Sequence, residues 1–133
     1  MFYEYSQNNS GGHFQMDKTI AHFMIIEAAS ADAANEIAER IGIYFDGIAD
    51  EIDCECCGDR WHEAVGAGYQ VPSIYGRPAT DYDTRYGAGP TKLRCMWTPE
   101  GKPYAYIHYQ DGRRASLING SPNEPVEVVI DPA

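Results

Sequence analysis

Three of the four cysteines fall within four positions, in Asp53-Cys54-Glu55-Cys56-Cys57-Gly58-Asp59-Arg60-Trp61-His62. Thiolates are soft metal ligands, and Cys54-x-x-Cys57-Gly58 has the spacing of a zinc knuckle. In that geometry two sulfurs grip one ion and the glycine lets the backbone turn beneath them. Cys56 is free to be a third ligand. Cys95 supplies the fourth on this reading, because Leu93, Cys95 and Trp97 share one face of an expected strand; His62 is its rival. Four protein ligands would close the site and make it structural, whereas three ligands and a water would make it catalytic. A full ribbon would need a second C-x-x-C, which the chain lacks. Four free thiols, or a pair oxidised in vitro, are the plain alternative; adjacent Cys56 and Cys57 cannot bridge without strain. The expectation is a structural zinc on Cys54, Cys56, Cys57 and Cys95.

No complete catalytic signature accompanies the cysteines. The chain has no G-x-S-x-G, no H-E-x-x-H, no P-loop and no zinc-deaminase pattern. His62-Glu63 stands alone, His108 reads as a half-exposed sheet residue, and His22 as a packed core or edge histidine. Candidate ligand-binding residues are Asn8 and Asn9, in a loop rich in amides and hydroxyls, and Tyr75, Arg77, Tyr82 and Arg85. Arginine forks beside tyrosine faces can hold a phosphate and stack a base. A plain hairpin connection and ordinary surface arginines would give the same composition, and those blander readings are preferred.

The elements that must position these residues are legible in part. Phe2-Tyr3-Glu4-Tyr5 alternates and predicts a short strand, followed by the polar loop Ser6 to Gly12. Ile20 to Ile26 is almost wholly apolar, as in a central strand covered on both faces. Ser30 offers an N-cap, Ala34, Ile37, Ala38 and Ile41 form one stripe, and Gly42 is a stop, which predicts a helix over Ala31–Arg40. Ile43-Tyr44-Phe45 then reads as a strand closed by Asp46-Gly47, giving a strand-helix-strand crossover. From Gly66 to Pro90 glycine, proline and tyrosine recur without a period, and an ordered irregular layer held by the metal is expected. Strands over Lys92–Thr98, Tyr104–Tyr109 and Ala115–Ile118, a hairpin turn at Asp111-Gly112 and an edge strand over Val126–Ile130 complete a C-terminal antiparallel meander. The fold class is therefore α+β: a strand-helix-strand unit, a metal-bound loop region and a β-meander.

At 133 residues the chain is the length of one domain, 1–133, long enough for a real core, so a metal would be a local staple. Twenty acids against ten bases give a net charge of -10, which argues against direct binding to a nucleic-acid backbone. Asp46, Asp50, Glu51, Asp53, Glu55, Asp59 and Glu63 crowd around the cysteines with only Arg60 opposing them. A solvated acidic loop is the preferred reading, and an acidic mimic of nucleic acid the sharper one. No signal peptide or membrane-spanning run is visible, so a reducing cytoplasm is expected, where clustered cysteines favour metal over disulfide.

Phe2 to Gly12, Glu27 to Gly42, Tyr44-Phe45-Asp46-Gly47 and Cys54-x-Cys56-Cys57-Gly58-Asp59-Arg60-Trp61 together resemble a family of small bacteriophage proteins described only as a domain of unknown function. The resemblance reaches Ile74-Tyr75-Gly76. It implies expression in the cytoplasm of an infected bacterium and carries no catalytic residues with it. The expectation is a phage-encoded, metal-stabilised, non-enzymatic binding protein acting on a host factor or host defence component. Its partner would be a host protein, bound as by an inhibitor, or a small nucleotide-like ligand, sequestered as by a sponge. A zinc-dependent hydrolase and the acidic mimic are the alternatives.

Overall fold

The computed structural model describes residues 1–12, 14–79, 101–118 and 127–131, the last segment as backbone. The strands are β1 (Phe2–Ser6), β2 (Phe23–Glu27), β3 (Ser73–Ile74), β4 (Arg77–Pro78), β5 (Pro103–His108), β6 (Arg114–Ile118) and β7 (Glu127–Asp131), and the helix is α1 (Ala31–Ile41). A five-stranded mixed sheet runs β1-β2-β5-β6-β7, and β3 pairs with β4 in a separate hairpin. The fold is α+β with β predominant.

The helix forms where its local signals stand. Ser30 Oγ accepts from the Ala33 N–H at 3.1 Å, and Gly42 closes the helix at φ 121°. The strand expected at Ile43–Phe45 does not form. Ile43 donates its N–H back to Ala38 O at 3.0 Å and is buried under the helix, and Tyr44 and Phe45 pack beside it. The parallel partner of β2 is instead β5, in the register Phe23↔Ala105 and Ile25↔Ile107. A crossover thus exists, but it spans far more chain than a helix and a turn. The first of the apolar strands begins at Phe23, not Ile20; Ile20, Ala21 and His22 are buried ahead of it.

The meander expectation stands for β5, β6 and β7, which pair antiparallel in sequence order, with β7 at the edge. Gly112, at φ 93°, donates to Tyr109 O at 3.0 Å in the expected turn. Lys92–Thr98 lies outside the described residues.

Alternation sorts the apolar side chains onto two faces of the sheet. Phe2, Phe23, Ile25, Ala105, Ile107, Ala115 and Leu117 pack on one face with Ile74 from the β3–β4 hairpin. Tyr3, Tyr5, Met24, Ile26 and Tyr106 pack on the other with Ala34 and Ala38 of α1, Ile43 and Trp61. Tyr104 joins the cluster of its neighbour Ala105 because the register shifts between Pro103 and Ala105. Among the described residues, no helix is long and apolar enough to cross a membrane.

Candidate metal centre

The cysteine loop closes on itself by a short turn. Cys57 N–H and Gly58 N–H both donate to Cys54 O at 3.2 Å, and Gly58 takes φ 88°, where only glycine is at ease. This folds Cys54, Cys56 and Cys57 inward, so that their three sulfurs lie within 4.8 Å of one another. Cys54 Sγ and Cys56 Sγ are 2.9 Å apart, and all three cysteines are free thiols.

The donor set fits a thiophilic divalent ion. Zinc–sulfur bonds of about 2.3 Å at tetrahedral angles place ligand sulfurs roughly 3.8 Å apart. The triad encloses that spacing, with the Cys54–Cys56 pair needing to open by roughly 1 Å. The sulfurs already share protons unevenly. Hydrogen bonding from Cys56, then Cys57, draws Cys54 down to about 7, while the same contacts from Cys54 and Cys57 push Cys56 up to about 11. A bound cation would hold all of them as thiolates and release the remaining protons.

The loop is held from below by a buried polar clasp. Arg60 is 3 % exposed and Asp53 is buried beside it. Arg60 N–H donates to Asp53 Oδ2 at 2.8 Å, and its guanidinium donates to Tyr44 Oη at 3.0 Å, Gln7 Oε1 at 2.9 Å and Ser10 O at 2.8 Å. Tyr44 Oη donates to Asp53 Oδ1 at 2.7 Å. Burial raises the Tyr44 phenol above its ordinary range, and the hydrogen bond to Asp53 adds to the rise. Ser10 Oγ accepts from Cys54 N–H at 2.9 Å, and Asn8 Nδ2 donates to Cys57 O at 2.6 Å and Asp59 O at 3.3 Å. Asp53 N–H and Ile52 N–H donate to Gly47 O, and a side chain at Gly47 would collide with the Asp53 carboxylate. The N-terminal loop and the cysteine loop are therefore one unit.

The expected site residues separate accordingly. Cys54, Cys56 and Cys57 come together; Cys95 lies outside the described residues. His62 is not in the sulfur cluster, and lines a cleft beside β1 instead. The Asn8 side chain braces the cysteine turn, while Asn9 is exposed. Tyr75 is exposed at the tip of the β3–β4 hairpin, where it and Gly76 take the positive φ values, 52° and 75°, of a two-residue turn. Arg77 is described as backbone in β4, and Tyr82 and Arg85 lie outside the described residues. Sequence reasoning missed the clasp. Its one signal was Arg60, the only base among seven acids. Of those acids Asp53 is buried and Asp59 accepts from Ile48 N–H at 2.9 Å; the other five are exposed.

Neither a curated protein nor a solved structure matches the chain. A family model does, over residues 1–125, and by that match the chain belongs to the family described as a domain of unknown function (DUF7296).

Proposed function

We propose that the chain is a phage-encoded binding protein, stapled by zinc, that acts without catalysis on a host protein in the cytoplasm of the infected bacterium. One observation carries this reading. Val65 is 85 % exposed and Tyr75 72 %, and Tyr69 and Val71 between them are exposed too. Large apolar side chains left in water along one stretch of a braced chain mark a protein-contact surface. The stretch is anchored at its start by the Arg60 clasp and at Tyr69 by two backbone hydrogen bonds to Phe2, of 2.7 and 2.8 Å. The phage origin rests on the resemblance of the opening segment and the cysteine motif to small bacteriophage proteins. The zinc rests on the three convergent sulfurs, with Cys95 as the fourth ligand.

Native mass spectrometry of protein purified from infected cells tests the reading. The expected result is one zinc per chain and a bound host protein that Val65→Asp with Tyr75→Ser releases. A retained nucleotide, with a higher melting temperature on adding it back, would replace the host-protein reading by sequestration of a small signal. Metal-dependent hydrolysis by the purified chain would replace it by the hydrolase.

A further inference from the structure

We propose that the outer edge of β1 takes an extended, lysine- or arginine-bearing segment of a partner protein as an added strand. The inference rests on the reading of this chain as a protein-binding module and names where and how it binds.

The hydrogen-bond ladder dictates which groups are open. Met1 and Ala28 exchange two hydrogen bonds, of 3.1 and 2.9 Å, and Gln7 N–H donates to His22 O at 2.8 Å. In an antiparallel pair hydrogen-bonded positions alternate with non-bonded ones. The odd-numbered residues of β1 therefore spend their backbone groups on β2, and Phe2, Glu4 and Ser6 turn theirs outward. Phe2 is matched by Tyr69, and Asn8 N–H by Arg60 O at 2.8 Å. Between these anchors the chain from Trp61 to Gly68 leaves the edge. Asn35 holds Ala64 over α1 by two hydrogen bonds, of 3.1 and 2.8 Å, and Gly66 and Gly68 turn the chain back at φ 81° and 72°. The outward N–H and C=O groups of Glu4 and Ser6 thus have no backbone partner among the described residues.

The gap is a cleft of about 540 Å³, within the range of roughly 300–1,000 Å³ usual for ligand sites. Glu4 and Glu63 line it, with Val65 and Tyr69 at its wall, and among the described residues its lining holds no lysine or arginine. In a chain of net charge -10 this favours a cationic occupant. Glu4 Oε1 already accepts from Tyr75 N–H at 2.7 Å and Ser6 Oγ at 3.2 Å, so an added strand would exchange backbone hydrogen bonds with Glu4 and Ser6, place a basic side chain chiefly near Glu63, and rest apolar ones on Val65 and Tyr69.

The probe is a fluorescein-labelled hexapeptide of alternating lysine and valine, followed by anisotropy at low salt. It is expected to bind, and its version N-methylated at alternate amides is not. Ser6→Pro removes one outward donor and leaves the ladder to β2 intact, because proline is tolerated where an edge N–H faces away from the sheet. It should weaken binding roughly tenfold, the loss of one or two hydrogen bonds, with the melting temperature retained. Glu63→Gln should weaken it by up to about fivefold, less so in high salt. Equal affinity of folded Ser6→Pro, equal binding of the N-methylated peptide, or equal binding of a glutamate-valine peptide would each overturn the proposal. So would a dimer of this chain that Ser6→Pro dissolves, since the edge would then serve a second copy. If Ser6→Pro fails to fold, the N-methylated peptide decides alone. A host protein held equally by wild type and Ser6→Pro would sink strand addition and leave the binding function standing.

Discussion

Burying a guanidinium costs several kcal/mol unless its donors and charge are satisfied, and Arg60 meets that condition: its Nε lies 3.8 Å from Asp53 Oδ1, and its guanidinium donates to Tyr44, Gln7 and Ser10. The pair should therefore be far more sensitive to losing one partner than to losing both. Asp53→Ala is expected to cost about 3–5 kcal/mol in chemical denaturation, and Asp53→Ala with Arg60→Met markedly less. A cost for Asp53→Ala within the range of surface changes would show that the clasp is not what fixes the loop. Buried His22 and half-buried His108 set the acid limit. Burial holds His22 at about 4, and burial with the nearby Arg114 holds His108 at about 4. In the unfolded chain both return to about 6.5. Between these values the unfolded state binds protons that the folded state refuses, so stability is complete above about pH 6.5 and falls as pH drops toward 4. Denaturation midpoints from pH 7.5 to 4.5 should show that slope, and His22→Phe, which keeps a ring between Phe14 and Phe23, should flatten it.

The elements that could be read in advance are those whose causes are local. Ser30, the alanine–isoleucine stripe and Gly42 lie within α1 or at its ends, so the helix appears within one residue of its expected span. Asp111-Gly112 announces its turn for the same reason. What failed was pairing, because nothing in Ile43-Tyr44-Phe45 says whether those side chains meet a neighbouring strand or the underside of the helix. The parallel partner of β2 lies some 80 residues downstream, at β5, and no local pattern encodes a register across that distance. The cysteine cluster was legible because its ligands are adjacent in sequence. The clasp was not, because Gln7 and Arg60 are 53 positions apart. Gly68 tests an element-level contact of this non-local kind. A β-carbon there would lie 2.9 Å from Phe2 O and from the Tyr3 ring, at φ 72°. Gly68→Ala should cost roughly 1–3 kcal/mol and strip hydrogen-exchange protection from the Tyr69 amide first. Unchanged protection at Tyr69 would mean that the strap is not anchored by that bridge.

Across the whole molecule, apolar burial and the candidate metal site occupy different places. Two clusters cover the two faces of the sheet, and the sulfurs lie outside both. Among the described residues, Trp61, buried in the same cluster as Tyr5 and α1, and the clasp residues link the cysteine loop to that interior. Losing an ion held there should therefore loosen a region without unfolding the chain, since the sheet keeps its own hydrophobic stabilisation. The Cys54→Ser, Cys56→Ser, Cys57→Ser triple variant, and wild type treated with a chelator, should retain the circular dichroism of the sheet and most of the melting temperature. Faster amide exchange should be confined to the cysteine loop and to the residues bonded to it, Asn8 to Ser10 and Gly47 to Arg60. β2 and β5, which lie inside the sheet, should keep their protection. Cooperative loss of protection in β2 and β5 on removing the metal would make the ion a condition of folding, and the two-faced sheet would then not be stable alone.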